Sequence, residues 1–179
     1  MNSSPMRIVS AVALALFVSV PAHAADTARA ALKEATAAAQ KWQADAVLTH
    51  VSTLMGRGDG KADNWLYTYY SPGAKKSAIV TTRDKAVTEV TADVRNTSTH
   101  PLGAEYLDSD KAAEAAVRHG LQIGKGAKGL GYGLVVGNTA VGKPQLFWSV
   151  TQMAGESVSS VTLNAGDGAL IKRDELKFK

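Results

Sequence analysis

The chain has 179 residues, with 20 lysines and arginines against 16 aspartates and glutamates, and it contains no cysteine. The absence of cysteine excludes disulfides, thiol catalysis and thiolate metal sites. A formal net charge of +4 that is spread along the chain lacks the clustered basic face typical of nucleic-acid binding, so we expect no nucleic-acid partner.

Residues 1–24 have the form of a secretory signal peptide. Arg7 precedes an apolar run that ends at Val20, and Ala22-His23-Ala24 gives the small-x-small pattern of a cleavage site. The run is too short for a membrane anchor. We therefore expect cleavage before Ala25, a periplasmic or secreted location, and no stable membrane insertion afterwards.

The first half, residues 25–98, is predicted to begin with two helices. Apolar residues recur at steps of three and four through 26–42, which predicts the first helix. The segment 45–55 has a broad apolar face, with Asp45 placed as a cap and Gly56 as a stop, which predicts a second helix.

Three antiparallel strands are predicted to follow these helices. The segment 64–71 alternates aromatic and polar residues, as a strand with two different faces does. A Pro-Gly turn opens the segment 71–82, and a tight turn opens the segment 83–94. The first half therefore reads as helices followed by a strand meander.

The second half, residues 99–179, repeats this order. The segment 107–120 has three capping residues near its start and Gly120 as its stop, which predicts a helix. A strand is predicted at 132–137, and strand, turn, strand, turn, strand over 145–171.

A shift of 83 positions aligns the two halves without a gap, which predicts an internal repeat. Each half would then pack helices on a small antiparallel sheet, an α+β arrangement. The identical pairs are Trp65 with Trp148, Thr68 with Thr151, Ser77 with Ser160, Asp84 with Asp167, and Ala86 with Ala169.

The second half resembles a PepSY-type domain in its helix with a capping Asp, its strand "FWSV" and its ending "VTLNAGDGALI". The resemblance is best over 107–171 and looser over 42–94. The chain departs from the family pattern at Asn164, where the family favours Asp, and at Arg83-Asp84-Lys85, which replaces a Gly turn. A longer glycine-rich segment, 121–147, is interpreted as an insertion in the second half.

The resemblance implies a fold of two PepSY/cystatin-like halves. It also implies an exported, non-catalytic module of the kind found in protease propeptides and free-standing secreted proteins, which are proposed to regulate peptidases. A protein partner is therefore expected, with a peptidase as one candidate. The family defines no residue-level site to carry over.

The candidate binding residues are the aromatic side chains of the two matching strands. Large rigid aromatic rings are enriched at protein interfaces, although the same rings also serve to pack a sheet against helices. An alternative function is the binding of a small ligand in a pocket between helix and sheet, lined by Trp and Tyr. The residues are Trp65, Tyr67, Tyr69, Phe147 and Trp148.

Two loop motifs are interpreted as connections between secondary-structure elements and not as binding sites. Arg57-Gly58-Asp59 matches an adhesion tripeptide, but its glycine-rich surroundings are typical of a turn. The stretch 124–129 matches a dinucleotide-binding glycine pattern, but a helix precedes it and a strand follows it, the reverse of the required order. Lys125 and Lys128 are retained as a weak candidate contact for an anion.

No catalytic motif is present, and His50, His100 and His119 are not spaced as paired metal ligands on one helix. His50 and His119 are predicted to flank helix ends, where a cation favours the dipole. The sequence therefore predicts neither an enzyme nor a metal or cofactor site.

Overall fold

The computed structural model describes residues 25–95, 98–123, 128–138 and 142–178. The predicted signal peptide lies outside these ranges. Within them the chain forms two helices and eight strands, which are α1 (Leu32–Trp42), β1 (Val47–Arg57), β2 (Asn64–Ser71), β3 (Lys76–Arg83), β4 (Ala86–Val94), α2 (Ser109–Arg118), β5 (Lys128–Asn138), β6 (Pro144–Ala154), β7 (Ser157–Asn164) and β8 (Leu170–Lys177).

All eight strands belong to one antiparallel sheet, in the order β4-β3-β2-β1-β5-β6-β7-β8. The helix α1 packs on β2, β3 and β4, and α2 packs on β6 and β7. Tyr67, Val51, Leu134 and Trp148 are successive cross-strand partners, so their side chains share one face. We call this the helix face, because it carries the core beneath both helices.

The predicted fold of two separate helix-on-sheet halves is wrong, because the strands form a single continuous sheet. The error began at residues 45–55, which form β1 and not a second helix. As a strand, β1 pairs with β2 on one side and with β5 on the other. This double pairing joins the strands of the first half to those of the second.

The residue types of β1 explain why it is a strand. Val47, Thr49, Val51 and Thr53 are β-branched and alternate along the chain, and such residues favour the pleated conformation. Asp45 does not cap a helix. Its carboxylate accepts hydrogen bonds from the Ser71 hydroxyl at 2.6 Å and the Gly73 amide at 2.7 Å, which lowers the pKa of Asp45.

The segment 121–147, predicted as an insertion, contains all of β5 and the start of β6. It therefore supplies a central strand of the sheet. Other elements are confirmed: β2 has its predicted bounds, and α2 has Asp108 as its N-cap, where the side chain accepts from the Ser109 amide. The first helix begins at Leu32, later than predicted.

The core combines alanine-rich helices with large aromatic residues on the sheet. Ala35 and Ala39 of α1 are completely buried, and α2 buries four alanines, which are Ala112, Ala113, Ala115 and Ala116. Small helix residues let the helices approach closely, and bulky sheet residues fill the remaining volume.

The polar ends of these aromatic residues bind the chain segments that lead into the helices. The Trp65 indole N–H donates to the carbonyl of Asp26, and the Trp148 indole N–H donates to the carbonyl of Leu107, both at 2.9 Å. The Tyr67 hydroxyl donates to the carbonyl of Ala28 at 2.9 Å. Each tryptophan thus lies in the second strand of its meander and holds the start of a helical segment.

We predict that Trp148→Phe lowers the free energy of unfolding by about 2 kcal/mol, because the part-buried carbonyl of Leu107 loses its donor and the smaller ring leaves space in the core. Trp42→Phe is the matched control, since Trp42 is only partly buried, and should cost less than about 0.5 kcal/mol. Urea denaturation measures both values. Equal losses in the two variants would contradict the assigned role.

A second prediction concerns Gly56, because the ring of Tyr132 packs across this residue. A Cβ at Gly56 would lie 2.5 Å from two ring carbons of Tyr132, and the Tyr132 hydroxyl is fixed by donating to the carbonyl of Arg57 at 2.8 Å. Gly56→Ala should therefore destabilise the chain by about 1–3 kcal/mol.

Gly133→Ala is the matched control for this prediction. Gly133 also lies in a central strand, but a Cβ there would make only an ordinary contact, 3.6 Å from Nε2 of His50. Thermal unfolding should show a large loss for the first variant and little change for the second. A Gly56→Ala protein as stable as wild type would show that the ring does not require the glycine.

Candidate functional site

Four of the five predicted binding residues are buried in the core. Trp65 is 2% exposed, and Tyr67, Tyr69 and Trp148 are 0% exposed. Burial also raises the pKa of Tyr67 and Tyr69, so both hydroxyls stay protonated. These four side chains pack the helices onto the sheet and do not form an open aromatic face.

Phe147 lies on the opposite face of the sheet. Its neighbour Trp148 faces the core, and successive strand residues point to opposite faces. The Phe147 ring covers Gly137, where an added Cβ would clash with it. The predicted set therefore divides between two faces, and only partly buried Phe147 lies on the face without helices.

The face opposite the helix face, which we call the open face, carries a groove of about 720 Å³. This volume lies in the range of natural ligand pockets, about 300–1,000 Å³. The groove lies over the centre of the sheet and takes residues from β1, β2, β5 and β6, namely His50, Ser52, Thr53, Leu54, Met55, Asn64, Leu66, Gly129, Gly131, Tyr132, Gly133, Ser149, Thr151 and Met153.

Glycines of β5 form the floor of the groove. Gly129, Gly131 and Gly133 alternate with Leu130, Tyr132 and Leu134, which are buried on the helix face. Because the alternate positions point to the open face, three successive places there carry no side chain. The result is a trough that runs along β5.

The neighbouring strands form the walls of this trough. Ser52 and Ser149 flank Gly133, since both are its cross-strand partners, and Thr151 is opposite Gly131. Leu54 approaches the same floor, because its Cδ2 would lie 3.8 Å from a Cβ on Gly131. A register irregularity of β1 between Thr53 and Gly56 places Leu54 and Met55 together at the wall.

The described part of the groove lining contains no Asp, Glu, Lys or Arg. His50 is the titratable side chain that the described lining presents on the open face, since the ring of Tyr132 lies on the helix face. Burial lowers the pKa of His50, so the imidazole is neutral at neutral pH. Burial raises the pKa of Tyr132. The site therefore offers apolar surface and neutral hydrogen-bonding groups, which suits binding more than acid-base or nucleophilic chemistry.

The tripeptide Arg57-Gly58-Asp59 connects β1 to β2. The Gly60 amide donates to the carbonyl of Arg57 at 3.1 Å, and Arg57 forms an ion pair with Asp63. Gly60 has a φ of +79°, and a Cβ there would clash with backbone at the start of α2. The motif is thus a turn packed against a helix, joining two strands where a helix-to-strand turn was predicted.

The other predicted polar residues do not form a common site. Lys125 lies outside the described residues, and for Lys128 the structure describes only the backbone, at the start of β5. His119 is the C-cap of α2, as predicted, and its Nε2 lies 3.1 Å from the carbonyl of Gly168. His50 lies in β1 and not at a helix end, and His100 is exposed.

Within the described ranges, His, Asp and Glu side chains do not gather in groups of three or more that could hold a metal ion. Neither described helix is long and apolar enough to cross a membrane.

No protein-family model matches the chain, and a comparison with curated proteins finds no match. Among solved structures, the chain is similar to a protein of Clostridium difficile 630 described as a "putative lipoprotein". The TM-score is 0.55 and the sequence identity 11%, over 81% of this chain and 92% of that chain. At this identity the likeness shows the fold alone.

Acidification is predicted to lower the stability of the protein through His50. Because burial holds the pKa of His50 below its usual value of 6.5, the unfolded chain takes up this proton first as the pH falls. At pH values well above this pKa of 6.5, His50 does not change the stability in this way. As the pH falls below 6.5, protonation of His50 lowers the free energy of unfolding by at most about 1.4 kcal/mol per pH unit.

Denaturant unfolding of wild type and His50→Gln, between about pH 7.5 and about pH 5, measures this contribution. The variant should lose less stability on acidification than wild type. An identical loss in both proteins would show that His50 is not responsible.

Proposed function

We propose that the chain is an exported, non-catalytic binding module that takes its ligand on the open face of the sheet. The observation that carries this proposal is the uncharged groove above the glycines of β5. The proposed pocket between helix and sheet has no comparable support, because that layer is filled by buried aromatic and alanine side chains.

Exposed apolar side chains at the groove support this proposal. Leu54 is 80% exposed, Met55 is 63% exposed and Met153 is 70% exposed, and all three line the groove. Single exposed apolar residues are common, whereas several around one concave site are typical of a binding surface.

Export is supported by the signal-peptide pattern of residues 1–24 and by the lipoprotein description of the structural neighbour. A kinship with PepSY-type domains stays a prediction, as does the internal repeat.

A protein partner, with a peptidase as one candidate, is the second proposal for the same face. The high exposure of Met55 and Met153 favours it, because methionine adapts to varied protein surfaces. The two proposals differ in what is bound and agree on where it is bound.

Replacing the groove methionines tests whether the ligand binds on the open face. Met55→Ser with Met153→Ser removes exposed apolar surface and should change stability by less than about 0.5 kcal/mol. Val117→Ser, at a half-exposed position of α2, is the matched control. Native mass spectrometry of protein purified from the export compartment of a bacterial host should find bound material on wild type and on the control, reduced about tenfold on the groove variant.

A photo-crosslinking residue at Met153 or at Val117 tests the second proposal in the same host. A protein partner at the open face should cross-link from position 153 and not from position 117. Bound material that persists on the groove variant, or cross-links only from position 117, would contradict the open face as the binding site.

A further inference from the structure

We propose that the groove binds one hydrocarbon chain that ends in an uncharged hydrogen-bonding head, such as the hydroxyl, ester or amide of a neutral single-chain lipid. This inference rests on the proposed function and names its ligand class. Three properties of the groove carry it: its shape, the order of polar and apolar groups along it, and its lack of charge.

The shape favours a chain over a compact ring system. The bare floor extends from Gly129 to Gly133, four residue steps of about 3.4 Å along β5, or about 14 Å. The walls stand on the two neighbouring strands, each about 5 Å away, so the trough is about 10 Å between strand axes. Wall side chains narrow this width further.

The polar side chains nearest the floor of the trough gather around Gly133. Around Gly133 lie Ser52 and Ser149, its cross-strand partners, and His50, whose Nε2 is within contact distance of a Cβ built there. Level with Gly131 lie Leu54 and Thr151, and toward Gly129 lies Met153. On β2, Leu66 pairs with Ser52, and Asn64 lies two residues farther toward the Gly129 end. A polar head near Gly133 and an apolar tail toward Gly129 would match this order.

The lack of charge decides which head group fits. Among the side chains that the structure describes, no lysine or arginine lines the groove, so a carboxylate or phosphate placed there would lose hydration without gaining an ion pair from them. The neutral hydroxyl and imidazole groups of Ser52, Ser149 and His50 can instead bond an alcohol, ester or amide.

The floor glycines allow a test that does not depend on destabilising the protein. A Cβ at Gly131 would lie 3.6 Å from Cβ of Thr151, and one at Gly133 would lie 3.6 Å from Nε2 of His50, both ordinary contacts. Valine also suits a strand better than glycine. Gly131→Val and Gly133→Val should therefore fill the trough and leave the melting temperature unchanged or higher.

The experiment measures displacement of N-phenyl-1-naphthylamine, a neutral apolar fluorescent probe, by 1-monolauroylglycerol and by laurate at neutral pH. The full-length mature chain is used, with Thr81→Val as control, because Thr81 lies on the open face of β3 outside the groove. We expect wild type and Thr81→Val to bind monolauroylglycerol about tenfold more tightly than laurate, and each glycine variant to bind it at least about tenfold more weakly than wild type.

Several outcomes would overturn the inference. Equal or tighter binding of laurate rejects the neutral head, and unchanged binding by both stable glycine variants rejects the trough. If neither lipid displaces the probe while position 153 still cross-links to a protein, or while sedimentation shows a dimer that Met153→Ser abolishes, the ligand class is wrong and the open face remains the binding site. Failure of both lipid binding and cross-linking at position 153 removes the proposed function as well.

Discussion

The pairing of β1 with β5 is the constraint on which the rest of the structure depends. These central strands join two runs of antiparallel strands into one sheet, and Gly56 of β1 lies directly beneath Tyr132 of β5. The ring uses the space that a side chain at Gly56 would need, and its hydroxyl holds the carbonyl of Arg57. A glycine beneath an aromatic ring thus fixes how the two central strands meet.

The sheet that this pairing completes has two faces with different residues. On the helix face, large residues such as Trp65 and Trp148 are buried beneath alanine-rich helices, with their N–H groups bonded to backbone carbonyls. On the open face, Gly131 and Gly133 leave a trough between side chains of β1 and β6. The same strand, β5, supplies bulky residues to the core and glycines to the groove, because its side chains alternate.

Much of the local structure could be predicted from sequence, because β2 and α2 have regular patterns and recognisable caps or turns. The exception was 45–55, whose apolar residues fit helical spacing, while its alternating valines and threonines favoured a strand. The register irregularity near Thr53 obscured the two-residue period. The proposed binding face was not predicted, since alternation shows that a strand has two faces but not which one helices cover. Of the three floor glycines, only Gly133 lay in a predicted strand.

Ligand placement on the open face is the central claim, and two-dimensional amide NMR during a titration with 1-monolauroylglycerol tests it most directly. The account predicts that the backbone amides of Ser52, Gly131 and Ser149 shift, while the buried indole N–H signals of Trp65 and Trp148 stay in place. Shifts that are concentrated on those indoles and on the helices, with no shift of the β5 amides, would contradict ligand placement on the open face.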